Sequence, residues 1–170
     1  MNRNEMLTVL RGNVRIEKVA EIGVLRGMYS IEIMTRIKPS YLALVDTWGV
    51  AHGSYGDYPS YTPDKWRTIE ESVRRRFTGP GVEIIQSPSL EASNQFPDES
   101  LDMVYIDANH SYESVLEDLH AWSKKVRPGG IIAGHDFNLS SVRKAVYELY
   151  DKEVVFLTDE KTIYSFYITK

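Results

Sequence analysis

Cysteine is absent from this chain. That removes any disulfide framework and any thiolate metal site, and it fits a cytoplasmic setting. No apolar run approaches the roughly 20 residues that a membrane-spanning helix needs. The polar, charge-mixed N-terminus lacks a signal-peptide core, so no membrane partner is expected. Positive charge is also in short supply. The 20 Lys and Arg face 24 Asp and Glu, a net charge of −4, which argues against nonspecific nucleic-acid binding. The one basic cluster, Arg74-Arg75-Arg76, falls at the end of a predicted helix, where it complements the helix dipole. Repeats, low-complexity tracts and linkers are missing as well. Residues 1–170 are therefore expected to form a single domain, and 42% hydrophobic residues leave room for its core.

What is present is a repeated alternation of short apolar runs and amphipathic stretches. Residues 101–136 read LDMVYIDANHSYESVLEDLHAWSKKVRPGGIIAGHD. Two apolar runs, 103–106 and 131–133, lead to Asp107 and Asp136. Between them, Val115, Leu119, Trp122 and Val126 recur at i, i+4, i+7 and i+11, which makes one buried helical stripe. A strand–helix–strand crossover is right-handed, so the two strands are parallel and their carboxyl ends share one edge. With neighbouring strands about 4.8 Å apart, Asp107 and Asp136 can converge where open α/β sheets bind ligands.

The same pattern runs through the rest of the chain. Strands are expected at 19–24, 41–45, 82–85, 154–157 and 163–168, and helices at 28–37, 63–77 and 140–150. The last two strands are too close in sequence for a crossover, so they pair as an antiparallel hairpin. The expected fold is α/β, a doubly wound, mostly parallel, Rossmann-like sheet of seven strands with one reversed strand. Residues 1–17 carry Met6, Val9 and Leu10 as the apolar side of a short helix, which either caps the sheet or closes the active site.

The first turn, EIGVLRG over 21–27, follows a strand and opens a helix. Its glycines let a ligand lie close to the backbone. The spacing is G-x-x-x-G with Glu21 ahead of the first glycine, which is not the dinucleotide fingerprint. An acid there repels a pyrophosphate and suits a cation such as an amino acid's ammonium. Asp46, at the end of the next strand, is placed to accept hydrogen bonds from a ribose diol. Together they describe an amino-acid nucleoside.

AEIGVLRG, LVDTW, FPDESLDMVYIDANHSYESVLEDLHAW and RPGGIIAGHDF resemble the class I S-adenosylmethionine-dependent methyltransferases. Within these, they are most similar to the branch with metal-dependent macrolide-sugar and other small-molecule O-methyltransferases. The resemblance runs from about residue 19 to 138. It implies S-adenosyl-L-methionine as cofactor, with Glu21, Gly23 and Gly27 lining the methionine part and Asp46 holding the ribose. Ser87 would flank the adenine, and Val24, Ser30, Thr47 and Asp107 complete the expected cofactor set. It also implies a divalent cation, Mg²⁺ or Mn²⁺, on Asp107, His135 and Asp136. His135 stands where the relatives more often carry a second carboxylate, which lowers the site's negative charge and admits softer metals. An aliphatic hydroxyl is too weak an acid to attack unaided at neutral pH. His110, expected on the first turn of the next helix, matches the position of the general base.

Residues 47–62 are polar, rich in Gly and Pro, and carry Trp48, Tyr55, Tyr58 and Tyr61. A loop of that kind leaving the cofactor edge is read as a lid or an oligomer contact. The expected partner is a small hydroxylated acceptor, with a homo-oligomer left open. The N/D-P-P-Y motif for methylating a flipped base is missing. Two alternatives stay open: a metal-free small-molecule N- or O-methyltransferase, and a non-catalytic or hydroxylase-like relative sharing the fold.

Overall fold

The computed structural model describes residues 3–49, 61–150, 154–158 and 164–170. In chain order the elements are α1 (Arg3–Asn13), β1 (Lys18–Ile22), α2 (Met28–Arg36), β2 (Tyr41–Asp46), α3 (Pro63–Arg76) and β3 (Val82–Gln86). Then follow α4 (Ser89–Ser93), β4 (Leu101–Ile106), α5 (Tyr112–Lys125), β5 (Val126–Gly134), α6 (Ser140–Tyr150), β6 (Val155–Thr158) and β7 (Tyr164–Thr169). Strand order in the sheet is β3-β2-β1-β4-β5-β7-β6. Strands β1 to β5 pair in parallel, and β7 runs antiparallel to both β5 and β6. The mostly parallel seven-stranded sheet with one reversed strand is thus as the hydrophobic pattern predicts.

Alternation along the central strands feeds two cores. Met103 and Tyr105 of β4 join Met6, Leu7, Ile33, Trp66 and Val73 of α1 to α3 on one face. Val104 and Ile106 join Leu119, Trp122, Ala145 and Val146 of α5 and α6 on the other. Leu119 and Trp122 are fully buried, as their helical spacing demands, and each such side chain is worth about 1.5–3 kcal/mol. Two helix starts are capped by their own sequence: Thr62 accepts from the Lys65 amide ahead of Pro63, and Ser111 accepts from the Ser114 amide.

The sheet turns over between β1 and β4, because β1 continues toward β2 on one side while β4 continues toward β5 on the other. The loops after β1 and β4 meet at that point. The Asp107 amide donates to the Ile22 carbonyl at 2.7 Å. Gly23 is left-handed (φ +88°), and a Cβ on it would lie 2.0 Å from the Asp107 carbonyl oxygen. No side chain fits there. β1 therefore ends at Ile22, short of the expected residue 24.

Three local features depart from the sequence expectation. β5 begins at Val126 rather than 131, with a register irregularity against β4 between Leu101 and Met103. Such a bulge tolerates Pro128, which has no N–H to donate. The short α4 went unpredicted, since five residues carry no readable periodicity. His110 precedes the Ser111 cap instead of lying on α5. Most of the aromatic loop, residues 50–60, and the turn at 159–163 lie outside the described residues.

Candidate active site

The carboxyl edge of the sheet borders a cavity of about 820 Å³, within the usual range for small-molecule sites. Of the expected cofactor residues, Glu21, Gly23, Val24, Asp46, Thr47, Ser87 and Asp107 line it, as does His110. Gly27 and Ser30 stand behind that wall. Gly27 is left-handed at the start of α2, and a Cβ there would meet Phe77 at 2.6 Å. Ser30 Oγ donates to Glu21 Oε2 at 2.5 Å.

Glu21 is only 1% exposed. Burial pushes its carboxyl up to about 8; Ser30 opposes this, and the nearby charges of Asp107 and Asp46 add to it. A cationic ligand would reverse that balance by stabilising the carboxylate. Asp46 does more than the sequence suggests. Its Oδ2 accepts from the amides of Val24 and Leu25 at 2.9 and 2.8 Å, and its Oδ1 from the Trp48 amide at 2.8 Å. These three amides fix the orientation of the Asp46 carboxylate at the cavity edge. It also builds the turn that receives the ligand, helped by Trp48, whose Nε1 donates to the Leu25 carbonyl.

Asp107 and His110 line the cavity, and Asp136 meets them beside it. His110 Nε2 lies 2.8 Å from Asp136 Oδ2 and 3.7 Å from Asp107 Oδ1. One ligand atom from each of the three falls within 4.8 Å of the others. A cation held at about 2.1 Å from each would need separations near or below 4.2 Å, a small inward adjustment. The donor set, two carboxylates and an imidazole, fits a divalent cation. His135, the imidazole expected in this set, also lies beside both acids, its Nδ1 3.1 Å from Asp136 Oδ2 and 3.7 Å from Asp107 Oδ2. Asp136 is itself left-handed (φ 54°), an uncommon conformation that Asp tolerates better than most residues.

Charge decides the state of this cluster. The hydrogen-bonding carboxylates of Asp107 and Asp136 lift the His110 imidazole to about 10, against the effect of burial. Burial pushes the Asp136 carboxyl up, but His110 and His135 outweigh it and hold it well below the usual range.

Sequence reasoning missed the groups that reach the cavity from other elements. Arg3 enters from α1. On the opposite side Ser89 Oγ donates to Asp118 Oδ1 at 2.5 Å and accepts from Trp122 Nε1 at 2.8 Å. Burial pushes that Asp118 carboxyl up to about 6. The one available signal was Asp118 itself, an acid three residues after Val115 on a helix whose apolar stripe faces inward.

An open α/β sheet with a buried acid near the end of β1, an acid ending β2 and a cavity across the β1/β4 crossover fits a class I, S-adenosylmethionine-dependent methyltransferase. The chain belongs to the methyltransferase-domain family, whose model matches residues 20–137. No curated protein matches it by sequence. Solved structures share the fold. The O-methyltransferase NovP has a TM-score of 0.69 at 20% identity, covering 99% of this chain and 79% of that one. A Corynebacterium glutamicum protein has a TM-score of 0.70 at 16% identity, covering 98% and 79%. A Thermotoga maritima spermidine synthase has a TM-score of 0.62 at 16% identity, covering 98% of this chain, which spans 58% of that protein's length. The last is named for a different reaction, so the fold alone does not choose the acceptor.

Proposed function

We propose that this enzyme methylates a hydroxyl group of a small molecule such as a sugar, at the cluster of Asp107, His110 and Asp136, with a divalent cation taking part. The observation that carries this reading is the convergence of those three side chains, two of which, Asp107 and His110, line the cofactor cavity. In the transfer, the hydroxyl oxygen bonds the methyl carbon while the carbon–sulfur bond breaks, its electron pair staying on sulfur. The hydroxyl proton must also leave. A bound cation would supply Lewis acidity toward the hydroxyl oxygen, and Asp107 and Asp136, with the His135 imidazole beside both, are the residues that would hold it, leaving His110 to take the proton.

The chain's own groups do the rest. Glu21 takes the cofactor's ammonium, Asp46 orders the turn around it, and the Ser87 region flanks the adenine. His110, between two carboxylates, holds its proton at neutral pH. It serves as a base only where the charge of Asp107 and Asp136 is offset, so the base and metal roles are coupled. The net charge of −4 supports a small-molecule acceptor over nucleic acid.

Chelation tests the reading. Activity on a hydroxylated acceptor should vanish in EDTA and return with Mg²⁺ or Mn²⁺, and Asp136→Asn should lose activity while keeping its affinity for S-adenosylhomocysteine. Full activity after exhaustive chelation would move the reaction to a metal-free mechanism.

A further inference from the structure

Helix α1 lies outside the residues that match the family, yet it is built into the body of the protein. Met6 and Leu7 are fully buried and Leu10 nearly so. Tyr29 Oη donates to the Arg3 carbonyl at 3.4 Å, and Arg11 to the Arg36 carbonyl at 3.2 Å. This docking aims Arg3 into the cofactor cavity. Its guanidinium carbon sits 4.8 Å from the Tyr29 ring centroid, and Nη1 is 4.0 Å from Asp107 Oδ2. The Tyr29 ring packs in turn on fully buried Tyr105, with centroids 4.2 Å apart, so the platform under Arg3 is rigid.

The cavity wall around the β1 turn is acidic, with Glu21 and Asp107 lining it and Asp46 beside them. That suits an ammonium but repels the carboxylate on the same carbon of an amino acid. Such an anion needs a cation within reach of Glu21, and a planar guanidinium is matched to a carboxylate in two parallel hydrogen bonds. Arg26 also borders the cavity, but its Nη2 contacts Tyr61 Oη at 3.3 Å on the exposed side.

We propose that Arg3 binds the α-carboxylate of the cofactor's methionine moiety, making α1 one wall of the cofactor site. This assignment rests on S-adenosylmethionine being the cofactor. In the ligand-free protein Arg3 leans toward Asp107; with cofactor bound it exchanges that distant pairing for a direct one.

Calorimetry with two ligands tests it: S-adenosylhomocysteine, and S-adenosyl-3-thiopropylamine, which keeps the amine and lacks the carboxylate. The wild type should prefer the first by roughly 10–100-fold, the scale of hydrogen bonds between charged groups. Arg3→Met should weaken S-adenosylhomocysteine by about that factor and leave the amine unchanged or tighter, since a cation beside the acids is gone. Arg3→Lys keeps the charge without the fork and should fall between, which serves if the Met variant loses its helix docking. Equal weakening of both ligands, or no weakening, overturns the assignment, as does loss of the preference in Arg26→Met instead. If neither ligand binds the wild type, the cofactor reading itself falls.

Discussion

Glu21→Gln separates a charge from its proton cost. In the ligand-free enzyme burial holds the Glu21 carboxyl near 8, so at pH 7 only about one molecule in eleven is ionised. If the ionised form receives the cofactor's ammonium, binding at pH 7 costs about 1.4 kcal/mol for deprotonation. The apparent dissociation constant then falls by about 10-fold per pH unit from pH 6 and levels near pH 8. Close to one proton is released on binding at pH 7. Glu21→Gln has no proton to lose, so its affinity should be flat over the same range. At pH 8.5 the variant should bind S-adenosylhomocysteine roughly 10–100-fold more weakly, the value of a hydrogen bond to a charged group. Near pH 6 the two proteins should converge. Isothermal titration in buffers of different ionisation enthalpy reads both affinity and proton release. Parallel pH profiles for the two proteins, with no proton released by the wild type, would refute the reasoning.

Two further variants test the geometry. His110→Gln should lower kcat by about 10²–10⁴-fold, the usual contribution of a positioned base, with little change in cofactor affinity. The folded-state value of His110 is raised to about 10, so its stabilising effect on the ligand-free protein is full below about pH 6.5 and is lost as pH rises through 10. The stability gap between wild type and His110→Gln in urea should therefore shrink over that window; a constant gap would mean that the carboxylates do not hold the proton. Gly23→Ala places a methyl 2.0 Å from the Asp107 carbonyl oxygen at a φ of +88°. It should cost about 2–4 kcal/mol in urea unfolding, and a loss below about 0.5 kcal/mol would contradict the close approach of the two loops.

Local physics was enough to read most of the architecture. Apolar spacing in 103–106, 111–126 and 131–133 determines a strand, a helix and a strand whatever the remainder does, and the handedness of the crossover then brings their carboxyl ends to one edge. That is why Asp107 and Asp136 could be placed together, and Glu21 and Asp46 beside them, from the sequence alone. Contacts between elements distant in the chain were decided only in three dimensions. Arg3 precedes Asp107 by about a hundred residues, and nothing near it in sequence reports that α1 docks on α2 with its first turn over the cavity. Ser89, Asp118 and Trp122 meet because α4 packs on α5, an element too short to predict. That both histidines meet the two acids also needed the fold: His110 approaches from the loop after β4, and His135 from the end of β5. Burial added what no residue name carries. It keeps the proton on Glu21 and makes Asp46 a brace for its own turn, because a carboxylate withdrawn from water must be neutral, paired or surrounded by donors.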